Sequence, residues 1–211
     1  MTKKITLLGT AAALSLTAGA AFAQSGTATV TTDLNMRMGP GPQYVIMDTL
    51  TAETEVDLNG CIPSDGWCEV TAEGETGWVY SPYLTVDEQP VSEVTVTEVE
   101  YEDPGDEAAI LGTGAGAAIG ALVGGPVGAV VGGVASATAA GEAVDEDVVV
   151  YVEQNPVEPV ILTGEPVPGV AIPQDVEVYD VPMSDQYVYL NVNGDTVVVD
   201  DSTREIVTVV R

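Results

Sequence analysis

The chain has 211 residues, with 33 Asp and Glu against 5 Lys and Arg and no His, which gives a formal net charge of −28. A surface this acidic repels phosphate backbones, so we expect no nucleic-acid partner. The absence of His excludes Ser-His and Cys-His catalytic pairs and imidazole metal ligands. We therefore predict a protein that is not an enzyme, with no catalytic residues, no cofactor and no metal site. Carboxylate chemistry is the one enzymatic alternative that the composition leaves open.

The first 23 residues are typical of a secretory signal peptide. Lys3 and Lys4 are followed by an apolar run and by a small-x-small end, Ala21-Phe22-Ala23. The run is short for a retained membrane anchor, so we expect cleavage after Ala23 and export to the periplasm or cell envelope. Cleavage removes two of the five bases, so the charge of the exported chain would be 3 minus 33, or −30.

Cys61 and Cys68 are the only cysteines. An exported chain meets an oxidising space, and an even count at close spacing there predicts a disulfide. Two cysteines without further Cys or His do not provide four sulfur and nitrogen ligands for a tetrahedral zinc site.

Composition divides the chain after the signal peptide into five segments. Short β-rich runs separated by Gly and Pro turns predict a small barrel at 24–86. Nine acids without a base predict a solvated linker at 87–107. An uncharged Gly- and Ala-rich segment at 108–141 comes next, followed by an acidic, Pro-rich spacer at 142–174 and a strand-rich end at 175–211.

The barrel segment resembles the bacterial SH3 domain. The resemblance lies in Leu34-Asn35-Met36-Arg37-Met38-Gly39-Pro40-Gly41 near its start, Gly66-Trp67-Cys68 in its middle and Gly77-Trp78-Val79-Tyr80-Ser81-Pro82-Tyr83-Leu84 at its end. Alternating apolar residues independently predict a filled barrel interior. They are Val30, Leu34, Met36, Val45, Leu50, Val56, Leu58, Val70, Val79 and Leu84.

The resemblance implies recognition of peptidoglycan or of an envelope protein or peptide. Aromatic side chains that can stack on a peptide or a sugar ring are the candidate ligand-binding residues: Tyr44, Trp67, Trp78, Tyr80 and Tyr83. Core packing is the alternative, and we favour it for Trp78; Trp67 is expected to be partly exposed beside the disulfide. Arg37, the only base of the barrel, is expected to pair with a carboxylate and to stabilise the Gly39-Pro40-Gly41 turn.

Glycine recurs at every fourth position of the Gly- and Ala-rich segment, at Gly112, Gly116, Gly120, Gly124, Gly128 and Gly132. This spacing resembles a glycine zipper, in which small residues let helices approach closely. Pro126 would interrupt a single helix, so we predict a helical hairpin that self-associates or associates with a membrane. A disordered Gly- and Ala-rich spacer is the alternative.

The strand-rich end is similar to a C-terminal domain of unknown function found in alphaproteobacterial envelope proteins. The similarity rests on Val181-Pro182, Tyr187-Val188-Tyr189, Val192-Asn193 and Thr203-Arg204-Glu205-Ile206-Val207. Asn193-Gly194 also predicts a two-residue hairpin turn inside a short β-meander, and Arg204 is expected to pair with Asp200.

Together these features predict a mainly β, multi-domain protein: an SH3-like β-barrel, a Gly/Ala-rich helical hairpin and a small C-terminal β-meander. The leading functional hypothesis is a non-enzymatic envelope protein whose barrel binds peptide or peptidoglycan and whose glycine segment tethers or oligomerises it. The alternatives are a carboxylate-dependent cell-wall hydrolase targeted by the barrel, and a structural envelope protein without a specific ligand.

Overall fold

A computed structural model describes residues 26–101, 120–121 and 144–211. The described residues form a mainly β molecule, as the sequence predicts. The first part of the chain builds an eight-stranded sheet and the last part builds a five-stranded sheet. The predicted signal peptide lies outside the described residues, as does most of the predicted glycine hairpin.

The eight-stranded sheet is the predicted barrel, with its strands in the spatial order β3-β2-β6-β5-β4-β1-β7-β8. Nine of the ten apolar residues predicted to fill the barrel are buried, and Val45 is half-buried. The strands are β1 Gly26–Val30, β2 Leu34–Arg37, β3 Ile46–Leu50, β4 Glu55–Ile62, β5 Trp67–Ala72, β6 Glu75–Tyr80, β7 Leu84–Val86 and β8 Gln89–Pro90. Short 3-10 helices span Ser81–Tyr83 and Val91–Glu93.

The predicted acidic linker is wrong for its first part, because the folded barrel continues to residue 101. Strand β8 pairs with β7, and Val91 is buried in the core. Further along, Glu98 forms a parallel bridge with Cys61 of β4. The acids of this stretch, such as Glu98 and Glu100, face solvent while the residues between them pack on the barrel. Solvated charge is therefore compatible with a fixed backbone here.

The five-stranded sheet contains the predicted C-terminal meander β13-β14-β15. Its Asn193-Gly194 turn joins β13 to β14 with φ of 56° and 98°. Both values are positive, as the two central residues of a type I′ hairpin turn require. The elements of this part are helix α1 Glu146–Gln154 and strands β10 Pro159–Val160, β11 Leu162–Thr163, β12 Tyr179–Val181, β13 Ser184–Val192, β14 Asp195–Asp200 and β15 Ile206–Val210.

Two predictions about this part are wrong. The segment 142–174 is not a free spacer, since helix α1 buries Val148 and Val152, and Leu162 and Ile172 are also buried.

Arg204 does not pair with the Asp200 side chain. Its Nη2 donates to the carbonyls of Pro173 and Val176, at 2.8 and 2.7 Å, and so holds a preceding loop in place. The Asp200 carboxylate instead accepts hydrogen bonds from Ser202 and Thr203 within its own turn, and these bonds lower the pKa of Asp200.

Only Gly120 and Ala121 of the predicted glycine hairpin are described. They form a short strand, β9, parallel to Leu162 and Thr163 of β11, so the helical prediction is wrong at these two positions. Glycine is a poor helix former, and the backbone groups of β11 offer it hydrogen-bond partners. In the described part of the chain, no helix is long and apolar enough to cross a bilayer.

The two sheets share one hydrophobic core. A single buried cluster contains barrel residues such as Val30 and Leu84 together with Leu162, Val167 and Ile172 from the C-terminal part. A second, smaller cluster packs helix α1 on strands β13 and β14. Because burial of apolar surface is the main stabilising contribution to folding, the barrel and the C-terminal sheet stabilise each other.

A buried polar network crosses the same interface. The Arg37 guanidinium, which is fully buried, donates through Nε and Nη2 to the Glu165 carboxylate, with an Nη2–Oε2 distance of 2.9 Å. Asn35 Nδ2 donates to both Glu165, at 3.0 Å, and Asp195, at 2.6 Å. Arg37 thus has the carboxylate partner that the sequence predicts, but this partner belongs to the C-terminal part of the chain.

Arg37 also stabilises the turn that follows β2, as predicted. Its Nη1 donates to the carbonyl of Tyr44 at 2.8 Å and to that of Pro42 at 3.3 Å. The same nitrogen donates to the carbonyl of Asn193 at 2.9 Å, in the hairpin turn of the other sheet. One side chain therefore fixes two turns from different sheets against each other.

The disulfide joins Cys61 to Cys68, which are directly paired across β4 and β5. It closes a loop of eight residues, for which the chain-entropy model gives about 2–3 kcal/mol of stabilisation.

We expect the double variant Cys61→Ala/Cys68→Ala to lose about this much free energy of unfolding in urea titrations. An unchanged midpoint, with native-like circular dichroism, would contradict a stabilising role for the disulfide.

Replacing Arg37 with Met should destabilise the protein by about 3–5 kcal/mol at pH 7, because it leaves the Glu165 carboxylate buried without a cation. Burial already raises the pKa of Glu165, and the Arg37 charge is the largest influence that opposes this rise. In the variant the folded-state pKa of Glu165 rises further. Protonation of Glu165 adds to the free energy of unfolding of the variant below that pKa, and this gain is lost as the pH rises through the pKa. The difference in free energy of unfolding between wild type and variant is therefore smaller at lower pH.

Urea unfolding of both proteins at pH 7 and pH 5 measures this change. Glu165→Gln is the matched control, because glutamine has no carboxyl group that could be protonated between the two pH values. The loss in free energy of unfolding caused by Glu165→Gln should be no smaller at pH 5 than at pH 7. Equal deficits for Arg37→Met at the two pH values would show that Glu165 ionisation is not what the network depends on.

Candidate functional site

The five aromatic residues predicted to bind a ligand do not form one open groove. Tyr44, Trp67, Trp78 and Tyr83 are buried, and Tyr80 is half-buried. Trp78 is 5% exposed, in agreement with the buried position favoured from the sequence, but it lies outside the two hydrophobic core clusters. The expectation of a partly exposed Trp67 is wrong, because this residue opens strand β5 and is only 3% exposed.

These aromatic residues fall into two groups. Trp67 packs on Tyr80 with ring centroids 5.5 Å apart, and Tyr80 packs on Tyr83 at 6.0 Å. Burial raises the pKa of both tyrosines, and the Glu165 charge adds to this. This group therefore belongs to the packed interior near the interface with the C-terminal part.

The second group contains Tyr44, Trp78 and a residue that the sequence analysis did not single out, Tyr101. The Tyr101 ring lies edge-on to Tyr44 at 5.9 Å and to Trp78 at 5.5 Å. Such edge-to-face pairs are favourable beyond the apolar area they bury. Tyr101 covers the aromatic surface that these two barrel residues would otherwise present.

Tyr101 ends a segment, residues 97–101, that we call the strap. The strap runs parallel to the end of β4: Cys61 N donates to the Thr97 carbonyl at 2.8 Å, and Val99 N donates to the Cys61 carbonyl at 3.0 Å. The strap was missed because its acids suggested a linker. The apolar residues Val94, Val96, Val99 and Tyr101 that interrupt those acids were the signal that could have revealed it.

A cleft of about 440 Å³ opens between the strap and the barrel. One wall is the turn after β2, where Gly39 allows the Tyr44 ring to pack closely: a Cβ on Gly39 would lie 2.6 Å from that ring. The lining residues are Pro40, Gln43, Tyr44, Ile62 and Asp65 from the barrel, and Val99, Glu100 and Tyr101 from the strap.

The charged side chains that line the cleft, Asp65 and Glu100, are both acidic and both exposed. Aromatic rings beside carboxylates form an environment that attracts cations, through charge and through the ring quadrupole. Of the five predicted residues, Tyr44 alone lines this cleft. The arrangement suits a basic side chain or a free amine more than an anionic group.

Within the described ranges, no group of three or more Cys, Asp or Glu residues is placed to hold a metal ion. The fold brings together the carboxylates of Glu165 and Asp195, which both accept a hydrogen bond from the Asn35 amide. Both are buried, and Glu165 is held by Arg37. This pair acts as part of the interface between the two sheets.

Comparison with known families supports two of the resemblances noted in the sequence, to a bacterial SH3 domain and to a domain of unknown function. Residues 32–85 match the model of the Bacterial SH3 domain. Residues 151–211 match the model described as Domain of unknown function (DUF1236). A search of curated proteins finds no match. The chain is thus similar to a bacterial SH3 domain over its barrel and to this domain of unknown function over its C-terminal sheet, and the Arg37–Glu165 pair joins the two matched regions.

Proposed function

We propose that this chain is an exported, non-enzymatic envelope protein whose SH3-like barrel binds a basic peptide or the peptide part of peptidoglycan. The single observation that carries the proposal is the cleft beside Tyr44, which is lined by the aromatic residues Tyr44 and Tyr101 and by the acidic residues Asp65 and Glu100. The match to the bacterial SH3 domain supports a binding module, since such domains commonly bind peptidoglycan or peptides.

Charge decides which ligands the barrel favours. The chain carries a net charge of −28, so anionic polymers are repelled over the whole surface and basic ligands are attracted. The carboxylates at the cleft add a local attraction to this general one. A basic peptide is therefore favoured over the glycan strand of peptidoglycan as the group that enters the cleft.

The carboxylate pair at the interface between the sheets gives no support to hydrolysis. A glycoside hydrolase needs two carboxyl groups on either side of an accessible bond. The Glu165 and Asp195 carboxylates lie together, but they are buried and hydrogen-bonded to Asn35. Incubation of the protein with purified peptidoglycan, followed by assay of released sugar or peptide ends, separates the two functions, and turnover above background would refute the proposed one.

Binding of a short lysine-containing peptide should weaken when the cleft loses its charge. We expect Asp65→Asn/Glu100→Gln to raise the dissociation constant roughly two- to thirtyfold at 0.15 M salt, as two exposed charge interactions are together worth about 0.4–2 kcal/mol. The wild-type affinity should itself fall with added salt, since the interaction is screened. Isothermal titration calorimetry or fluorescence anisotropy measures both effects.

The matched control is Glu55→Gln/Asp57→Asn, which removes two exposed acids of β4 that lie away from the cleft. It makes the same change in net charge as the cleft variant. Equal weakening in the two double variants would assign the affinity to overall charge and count against the cleft as the binding site.

Export and tethering complete the proposal. A disulfide at Cys61–Cys68 fits an oxidising compartment, and the signal-like residues 1–23 provide a route to it. The glycine-rich segment 108–141 would then tether or oligomerise the protein. We expect the mass of the protein recovered from cells to correspond to a chain that starts at Gln24 and lacks free thiols.

Fractionation of the same cells tests the tether. Recovery in a membrane fraction, or as an oligomer, is the expected result. A full-length, reduced protein in the cytosol would contradict export, while a soluble monomer that starts at Gln24 would contradict only the role given to the glycine-rich segment.

A further inference from the structure

The strap occupies the barrel as an added strand. Its backbone pairs with Cys61 through the Thr97 carbonyl and the Val99 amide, at the half of β4 that has no partner from β1. Addition of an extended segment to an exposed strand edge is a common mode of peptide binding. The residues matched to the bacterial SH3 domain end at 85, so the strap lies outside that region.

The strap packs closely against Gly60 of the barrel, where the lack of a side chain leaves space for it. A Cβ at this position would lie 2.5 Å from Val99 Cγ1 and 2.9 Å from the Thr97 carbonyl oxygen, and its three nearest atoms all belong to the strap. A methyl group on Gly60 therefore collides with the strap before it meets other parts of the barrel. The space beside Gly60 therefore accommodates an extended backbone with a β-branched side chain at the position of Val99.

The strap also fills an aromatic position. The Tyr101 ring takes the place beside Tyr44 and Trp78 that an aromatic side chain of a bound peptide would take. Strand pairing and an aromatic anchor are the two kinds of contact by which an extended peptide gains affinity and specificity.

The charges of the strap, in contrast, do not match the surface beneath it. Glu98 and Glu100 are exposed on the strap, and Glu100 lines the same cleft as Asp65. Like charges across a cleft repel each other. A segment with the same backbone and aromatic contacts, but with basic residues at these two positions, has a better electrostatic match to the barrel.

We infer that the strap is a built-in competitor: it holds in cis the surface that an extended basic peptide with an aromatic residue occupies in trans. Such a peptide would displace residues 97–101 and place its aromatic ring against Tyr44 and Trp78. This inference rests on the proposed function for the preference for basic peptides and changes the extent of its site. Tyr44 and Asp65 of the barrel stay in contact with the ligand, whereas Glu100 and Tyr101 leave with the strap.

Two variants of the full chain release the strap by different means. Gly60→Ala pushes its backbone away from β4, and Tyr101→Ala removes its aromatic anchor while leaving the barrel unchanged. Gly26→Ala is the matched control, since a Cβ at Gly26 meets no atom within 4 Å. In the protein without ligand, hydrogen exchange at the Val99 and Cys61 amides should speed up in both variants and stay as in wild type in the control.

The probe is a synthetic peptide with the sequence Thr-Val-Thr-Lys-Val-Lys-Tyr, which is the chain from 95 to 101 with lysine at the two glutamate positions. If the strap is seated in about nine molecules of ten, its release in Tyr101→Ala should lower the apparent dissociation constant about tenfold. Gly60→Ala should gain no affinity, because its Cβ meets the Thr and Val of the peptide where it meets Thr97 and Val99 of the strap. The unaltered sequence, Thr-Val-Thr-Glu-Val-Glu-Tyr, should bind Tyr101→Ala more weakly than the lysine peptide, by a factor that shrinks as salt is added.

The outcomes separate this inference from the proposed function. If wild type binds the lysine peptide and Tyr101→Ala gains no affinity, the strap is part of the site and the inference is overturned while the proposed function stands. If Tyr101→Ala gains affinity but binds the two peptides equally, the competitor is confirmed and the preference for basic ligands is refuted. If neither wild type nor folded Tyr101→Ala binds either peptide, both are overturned.

Discussion

The pairing of Arg37 with Glu165 is the constraint on which the rest of the structure depends. A guanidinium in a protein interior is costly unless its charge and donors are matched. The barrel provides carbonyls for Arg37 through Pro42 and Tyr44, but its carboxylate partner comes from a residue 128 positions later in the chain. The buried charge of the barrel is therefore matched by the C-terminal part of the chain, so the two sheets depend on each other.

This constraint changes how the binding surface is positioned. Arg37 holds the turn that carries Tyr44, so one wall of the cleft is fixed through the same side chain that fixes the interface with the C-terminal sheet. The opposite wall, the strap, is held by two backbone hydrogen bonds to Cys61 and by the Tyr101 ring. In the proposed exchange with an external ligand, the wall held by Arg37 stays in place while the strap leaves.

The features that the sequence predicted correctly are local ones. Alternation of apolar residues identified the barrel interior, the spacing of Cys61 and Cys68 identified the disulfide, and Asn193-Gly194 identified the hairpin. Long-range features were not accessible in this way, because a single sequence does not show which of 33 acids meets Arg37. The strap was misassigned for a different reason: its acids dominate the composition, whereas Val99 and Tyr101 determine where it packs.

The strap and the barrel are both acidic, and the repulsion between them limits how firmly the strap is held. Contacts of Val99 and Tyr101 attract the strap to the barrel, while Glu98 and Glu100 approach a surface of the same sign. Added salt screens the repulsion between exposed charges and leaves the apolar contacts in place. The strap is then seated more firmly as ionic strength rises, while the attraction of a basic ligand weakens, so both effects favour the covered state at high salt and the bound state at low salt.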